Sequence, residues 1–252
     1  MAEVARPTLV ATVFAFVGLL FGCADGGAPE RSAQRAPSSV ATTAAPTTLP
    51  PSTTTSTTTT APPRYDATVA LVDDTVRPRM TSSWRPGCPV PLEELRLLTL
   101  DHWGYDGLEH TGELVVHQDH ADAMVRVFGS LWDARFPIER MQVVDAYGGD
   151  DAESTRDNNT AAFNCRDVVG RPGAWSEHAF GRAIDVNPLV NPYALDPNVG
   201  DPALAQYLDR SLTTPGMIRA GDATVQAFAA EGWAWGGAWS APDYQHFSAT
   251  GR

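Results

Sequence analysis

The spacing of apolar and polar residues predicts both strands and helices in the part of the chain that follows residue 64. Residues 113–117 have the composition of a strand, and the next stretch, about 119 to 135, carries apolar residues at helical spacing until Pro137. Residues 141–147 are predicted to form another strand, which leads into a polar loop at 148–160.

The second half of this region is also predicted to contain both strands and helices. Residues 182–187 alternate, which places Ile184 and Val186 on one face of a predicted strand and Ala183, Asp185 and Asn187 on the other. Asp222 is suited to cap a helix that ends near residue 231, with Val225, Phe228 and Ala229 facing inward, and residues 232–247 are predicted to contain one or two strands. Strands and helices do not alternate regularly, so the predicted fold class is α+β.

The first 23 residues have the pattern of an export signal. Arg6 precedes an apolar run from Leu9 to Phe21, which is shorter than the roughly 20 residues a membrane-spanning helix needs. The run ends in Gly22-Cys23, which is similar to a bacterial lipoprotein cleavage box. The sequence therefore predicts a lipid anchor at Cys23, with ordinary signal cleavage and an uncleaved anchor as alternatives. Each alternative places the protein outside the cytoplasm, either anchored at the outer face of the cell membrane or secreted.

Residues 24–64 are dominated by Ala, Pro, Ser and Thr and are predicted to form a disordered linker. Such a segment has almost nothing to bury, and extended at about 3 Å per residue it would reach on the order of 100 Å. The composition from residue 65 to 252 is that of a folded domain, long enough to bury roughly 70% of its unfolded surface.

Charge and cysteine content narrow the choice of partners. The chain has 18 basic and 30 acidic residues, so a phosphate backbone would be repelled and nucleic acid is an unsuitable partner. If Cys23 is lipidated, Cys88 and Cys165 remain, and an even pair in an exported chain predicts a disulfide. Two buried thiols are the alternative.

Two short motifs carry the candidate chemistry. The first, SxHxxGxAxD, contains His178 and Asp185; the second, DxxHF, contains Asp243 and His246. Two imidazoles and one carboxylate leave the fourth position of a tetrahedral Zn²⁺ open, as in catalytic rather than structural zinc sites. Asp243 lies three residues before His246, so one turn would place its carboxylate beside the metal as a general base.

Together, these motifs resemble those of the zinc peptidase family that contains D-alanyl-D-alanine carboxypeptidases (VanY-like) and L-alanyl-D-glutamate endopeptidases, which shares its fold with the hedgehog signalling domain. The resemblance covers most of residues 90–250. It implies a small antiparallel sheet with flanking helices, zinc ligands at His178, Asp185 and His246, a catalytic base at Asp243, and peptidoglycan stem peptides as substrates. The Asp at the base position and the His-Phe pair that follows resemble the endopeptidase branch of the family more than its carboxypeptidase branch.

One feature of the family is missing from its usual place. Family members carry an Arg soon after the strand that precedes the loop, where it stabilises the oxyanion, but here Tyr147 is followed by Gly148-Gly149-Asp150. Arg166 is the candidate replacement, with Arg156 and Arg182 behind it. A structural ion pair is the alternative role for Arg166.

A second class of function is also open. A zinc-stabilised module that binds wall peptides or a protein, and cuts nothing, would carry the same metal ligands. The presence of Asp243 favours the peptidase, because a binding module has no use for a base beside the metal.

Overall fold

A computed structural model describes residues 63–196 and 201–252. The predicted signal peptide, the lipid site at Cys23 and all of the linker except its last two residues lie outside the described residues. The domain boundaries therefore stay predictions. Among the described residues, no helix has the length and apolar character needed to cross a bilayer.

The first sheet is antiparallel and contains three strands: β1 (Ala67–Leu71), β2 (Leu95–Trp103) and β3 (Glu109–His117). Leu98 of β2 lies opposite Leu114 of β3, and both side chains are fully buried. Helix α1 (Gln118–Asp133) packs against β2, and it ends four residues before Pro137. The strand predicted at 113–117 and the helix predicted at 119–135 are therefore confirmed.

The middle of the chain departs from the prediction of a strand at 141–147. Only β4 (Arg140–Met141) is extended, and it pairs in parallel with β5 (Asn159–Thr160), whereas Val144–Tyr147 is a 3-10 helix. The Asp145 carboxylate accepts hydrogen bonds from the main-chain N–H groups of Ser82 and Ser83, 2.7 and 3.0 Å away. This contact joins the 3-10 helix to the loop that contains Ser82 and Ser83, and the β-type composition of residues 141–147 does not reveal it. Helix α2 (Asp151–Arg156) follows, capped by Asp150.

The C-terminal part builds a second antiparallel sheet beside a hairpin. The hairpin contains β6 (Asp167–Val168) and β7 (Arg171–Trp175), and the sheet contains β8 (Ala183–Asp185), β9 (Ala234–Trp235) and β10 (His246–Ser248) in the order β8-β10-β9. Two short helices, α3 (Pro202–Ala205) and α4 (Ala223–Ala230), lie between β8 and β9 in sequence. The α+β fold class with small antiparallel sheets and helices is confirmed.

Helix α4 begins as predicted, because the Asp222 side chain accepts a hydrogen bond from the Val225 N–H. Its inward face differs by one position from the prediction: Phe228 and Ala227 are buried, whereas Ala229 is exposed. Phe228 stacks on Phe247 of β10 with ring centroids 3.9 Å apart. The helix therefore holds the strand that carries His246 against the core.

The predicted disulfide is confirmed between Cys88 and Cys165, whose Cα atoms are 5.8 Å apart. Cys165 is buried, and its N–H donates to the Ser83 carbonyl. The bridge thus ties the segment after β5, which borders the second sheet, to the loop that precedes β2.

Candidate active site

His178 lies on a 3-10 helix (Glu177–Phe180) that is capped at both ends. The Ser176 hydroxyl accepts a hydrogen bond from the His178 N–H at 3.3 Å, and Gly181 ends the helix with a φ of +64°. A Cβ on Gly181 would lie 2.5 Å from the main-chain nitrogen of His117. The N–H at that nitrogen donates a hydrogen bond to the Gly181 carbonyl. Glycine is required here both for the left-handed backbone and for the close approach of β3.

Asp185 and His246 face each other across the second sheet. They are direct partners in the β8–β10 register, and the neighbouring Val186 N–H donates to the Gln245 carbonyl. That pattern makes Asp185 and His246 a non-hydrogen-bonded pair, the type that brings opposed side chains closest in an antiparallel sheet. Two residues 61 positions apart in the chain are therefore brought together by strand register.

The three side chains predicted as metal ligands converge on one buried point. His178 Nε2 is 3.2 Å from Asp185 Oδ2, and His246 Nδ1 is 3.0 Å from Asp185 Oδ1. One candidate ligand atom from each residue lies within 4.8 Å of the other two, and all three residues are buried. Within 63–196 and 201–252 this is the one cluster of His, Cys, Asp and Glu with such a geometry.

The outer nitrogens of both imidazoles are hydrogen-bonded to main-chain carbonyls. His178 Nδ1 donates to the Ala162 carbonyl at 2.6 Å, and His246 Nε2 donates to the Arg252 carbonyl at 3.1 Å. In the neutral imidazoles, Nε2 of His178 and Nδ1 of His246 then carry lone pairs directed at the carboxylate of Asp185. With the imidazoles neutral, these two lone pairs and the carboxylate could share one cation, and a donor set of two imidazoles and one carboxylate suits zinc.

Burial and the charges within the cluster shift the pKa values of His178 and Asp185. Burial alone would lower the pKa of His178, but the Asp185 carboxylate more than offsets it and raises that pKa above its usual value. Burial alone would raise the pKa of Asp185, but the two imidazoles hold it well below its usual range. Asp185 is therefore a carboxylate across the neutral pH range, as a metal ligand must be.

Asp243 lies beside the cluster without belonging to it. Its N–H donates to the Gly236 carbonyl at 3.0 Å, and a Cβ on Gly236 would lie 3.1 Å from the Asp243 Cβ and 3.3 Å from the His246 Cβ. The absence of a side chain at Gly236 thus allows Asp243 and His246 to lie close together. Asp243 Oδ1 is shielded from solvent and has no hydrogen-bond partner among the described residues. Burial, assisted by the charge on Asp185, raises the pKa of Asp243 to about 7.

The cluster opens into a cleft of about 740 Å³. The hairpin contributes Trp175 to its lining, and the segment before β10 contributes Trp239, whose ring centroid lies 5.4 Å from that of His246. Arg166 also lines the cleft, but its guanidinium forms an ion pair with Asp151 with two contacts of 3.0 Å. Both roles predicted for Arg166 are compatible with this position, so its part in the chemistry stays a prediction.

The remaining candidates lie elsewhere. Arg182 pairs with Glu177 and lies over the ring of Phe180, and neither Arg156 nor Arg182 lines the cleft. Sequence reasoning missed the carbonyls of Ala162 and Arg252, because a carbonyl acceptor carries no signal in the sequence.

The fold and the cluster define an α+β protein with a candidate metal centre at one end of a small sheet. Residues 169–249 match the model of a family described as D-alanyl-D-alanine carboxypeptidase, which confirms the resemblance drawn from the two motifs. The matched segment is shorter than the predicted 90–250, but it contains His178, Asp185, Asp243 and His246; Arg166 lies just before it. No curated protein and no solved structure gave a significant match.

Proposed function

We propose that this protein is a zinc-dependent peptidase that hydrolyses peptide bonds in the stem peptides of bacterial peptidoglycan. The observation that carries the proposal is the orientation of the two imidazoles, whose outer nitrogens are held by carbonyls while their inner nitrogens face the Asp185 carboxylate. The match of residues 169–249 to a family described as D-alanyl-D-alanine carboxypeptidase supports the same conclusion.

Zinc would be held by His178, Asp185 and His246. The ion supplies Lewis-acid chemistry, because it polarises a carbonyl group and makes water more acidic at neutral pH. Three protein ligands leave room for a reacting group, as in catalytic zinc sites.

Asp243 is proposed as the general base. Asp243 lines the cleft, and its Oδ1 has no hydrogen-bond partner among the described residues, so its carboxylate has the capacity to accept a proton from water in the cleft. In the metal-free protein the pKa of Asp243 is raised to about 7, which favours a group that both accepts and releases a proton near neutral pH. The proton is then given to the leaving amine, so the base is regenerated when the peptide bond breaks.

Arg166 is proposed to stabilise the oxyanion that forms at the scissile carbonyl. Its ion pair with Asp151 fixes the guanidinium on the cleft wall, and the disulfide at Cys165 anchors the adjacent backbone. A fixed cation needs little reorganisation when negative charge develops in the transition state.

The size and the lining of the cleft are compatible with a small peptide as the substrate. A volume of about 740 Å³ is in the range of sites for small peptides, and aromatic residues line it. Two bonds are candidates: the terminal D-Ala–D-Ala bond, cut by a carboxypeptidase, and the L-Ala–D-Glu bond, cut by an endopeptidase. Such a substrate agrees with an exported protein that is held at the outer face of the cell membrane by a lipid at Cys23, or is secreted.

The test uses the full chain loaded with zinc and a stem peptide that contains both bonds. Mass spectrometry identifies the bond that is cut, and a chelator should stop cleavage until zinc is returned. Asp243→Ala should keep about one zinc per chain while it abolishes turnover, and Asp133→Ala, which changes an exposed acid at the end of α1, serves as the control. Zinc binding without release of any fragment would instead favour the non-catalytic binding module, and an active Asp243→Ala protein would remove the base from the mechanism.

A further inference from the structure

Two residues that line the cleft each have a buried polar side-chain atom without a hydrogen-bond partner. Among the described residues, seven buried side-chain nitrogen or oxygen atoms have none, and they belong to Ser83, His102, Asp145, Arg210, Thr224, Asp243 and Gln245. Of these residues, only Asp243 and Gln245 line the cleft. The proposed base accounts for Asp243, but nothing in the proposed chemistry uses Gln245.

Gln245 is buried next in sequence to one of the candidate metal ligands. The residue is 8% exposed, and its main-chain carbonyl accepts the Val186 N–H at 3.0 Å. It directly precedes His246, which pairs with Asp185 across the sheet. The main chain of Gln245 is therefore fixed beside the candidate metal ligands, and the residue lines the same cleft.

A buried amide oxygen without a partner destabilises the folded protein, because its hydration is lost and nothing replaces it. An apolar side chain of similar size would avoid this loss. The position of Gln245 on a cleft that takes a peptide indicates that the missing partner arrives with the substrate.

We propose that Gln245 is a substrate-binding residue whose Oε1 accepts a hydrogen bond from a main-chain N–H of the bound peptide. The inference rests on the proposed peptidase function and adds a recognition residue to it. A neutral acceptor suits a peptide N–H, whereas an ammonium group would be better met by a carboxylate. A third carboxylate here would also lie beside Asp185 and Asp243 and repel both.

The test compares Gln245→Met, which keeps the length of the side chain and removes its amide group, with Gln142→Met, at an exposed position after β4 where only main-chain atoms of the residue are hydrogen-bonded. For Gln245→Met we expect unchanged zinc content and an equal or higher melting temperature without peptide, because no internal hydrogen bond is lost. Cleavage of the stem peptide should lose roughly tenfold in kcat/KM, the effect of one lost hydrogen bond to a buried partner. Gln142→Met should match the wild type in all three measurements.

A substrate series then identifies the partner N–H. Stem peptides that carry one N-methylated peptide bond, at each position flanking the scissile bond in turn, are cut by wild type and by Gln245→Met. At the recognised position, methylation should impair the wild type but add little to the loss in Gln245→Met, since both changes remove the same hydrogen bond.

The outcomes separate this inference from the proposed function. A wild-type protein that cuts the peptide together with an equally active Gln245→Met overturns only the role of Gln245, as does a Gln245→Met protein with a lower melting temperature. If the wild type cuts nothing, the peptidase proposal fails, and calorimetry with the same peptide decides the role of Gln245. Binding weakened roughly tenfold in Gln245→Met supports recognition by Gln245, and equal binding overturns it.

Discussion

Replacing Asp243 by Asn should make the metal-free protein more stable at neutral pH and inactive at every pH. The amide of Asn resembles the protonated carboxyl in shape and charge, so the variant avoids the charged form that the site disfavours. The pKa of Asp243 in the folded protein is raised from the ordinary 3.8 to about 7, mainly by burial. The folded protein therefore binds this proton more tightly than the unfolded chain does.

The sign of the effect follows from that difference. As pH rises from about 4 to about 7, the unfolded chain gives up the proton first, so the free energy of unfolding of the wild type falls across this range and levels off above it. At about 1.4 kcal/mol per pH unit, the full effect has an upper limit of about 4 kcal/mol, of which roughly 3 kcal/mol develops between pH 5 and pH 8. Asn at this position does not titrate, so its advantage over the wild type should grow with pH by that amount.

Urea unfolding of both proteins in the presence of a chelator, at pH 5, 6, 7 and 8, measures this difference directly. The free energy of unfolding of Asp133→Asn, a change at an exposed position, should differ from that of the wild type by the same amount at all four pH values. An advantage of Asp243→Asn that stays constant or shrinks as pH rises would show that Asp243 is not held in an environment that disfavours its charge, and the reason for assigning it a pKa suited to a base would fail.

Three further outcomes are expected. Gly181→Ala should lower the free energy of unfolding by about 3 kcal/mol or more, whereas Gly148→Ala, with a similar φ but open space around it, should lose only about 1 kcal/mol in the same urea titration. Replacing both Cys88 and Cys165 by Ser should cost about 4 kcal/mol by the loop-entropy model, measured by urea unfolding without reductant. Arg166→Ala should reduce kcat roughly hundredfold with little change in melting temperature, and unchanged turnover would limit Arg166 to its ion pair.

Local patterns in the sequence were enough to predict several elements. The helical spacing of apolar residues before Pro137 predicted α1, and Asp222 predicted the start of α4, because capping and amphipathic spacing act over a few residues. The same reasoning failed at Val144–Tyr147, a 3-10 helix whose Asp145 carboxylate accepts hydrogen bonds from main-chain N–H groups of a distant loop. A contact of that kind leaves no trace in local composition.

The sequence by itself determined which side chains are available for the chemistry: two imidazoles, two carboxylates and the glycine that lets the chain turn between them. Only the tertiary structure decided that they meet, since Asp185 and His246 become neighbours through the register of β8 and β10. It also decided how the imidazoles are oriented, through the carbonyls of Ala162 and Arg252. Those acceptors are main-chain atoms common to every residue, so their position, and not their identity, makes the site, and position is a property of the folded chain.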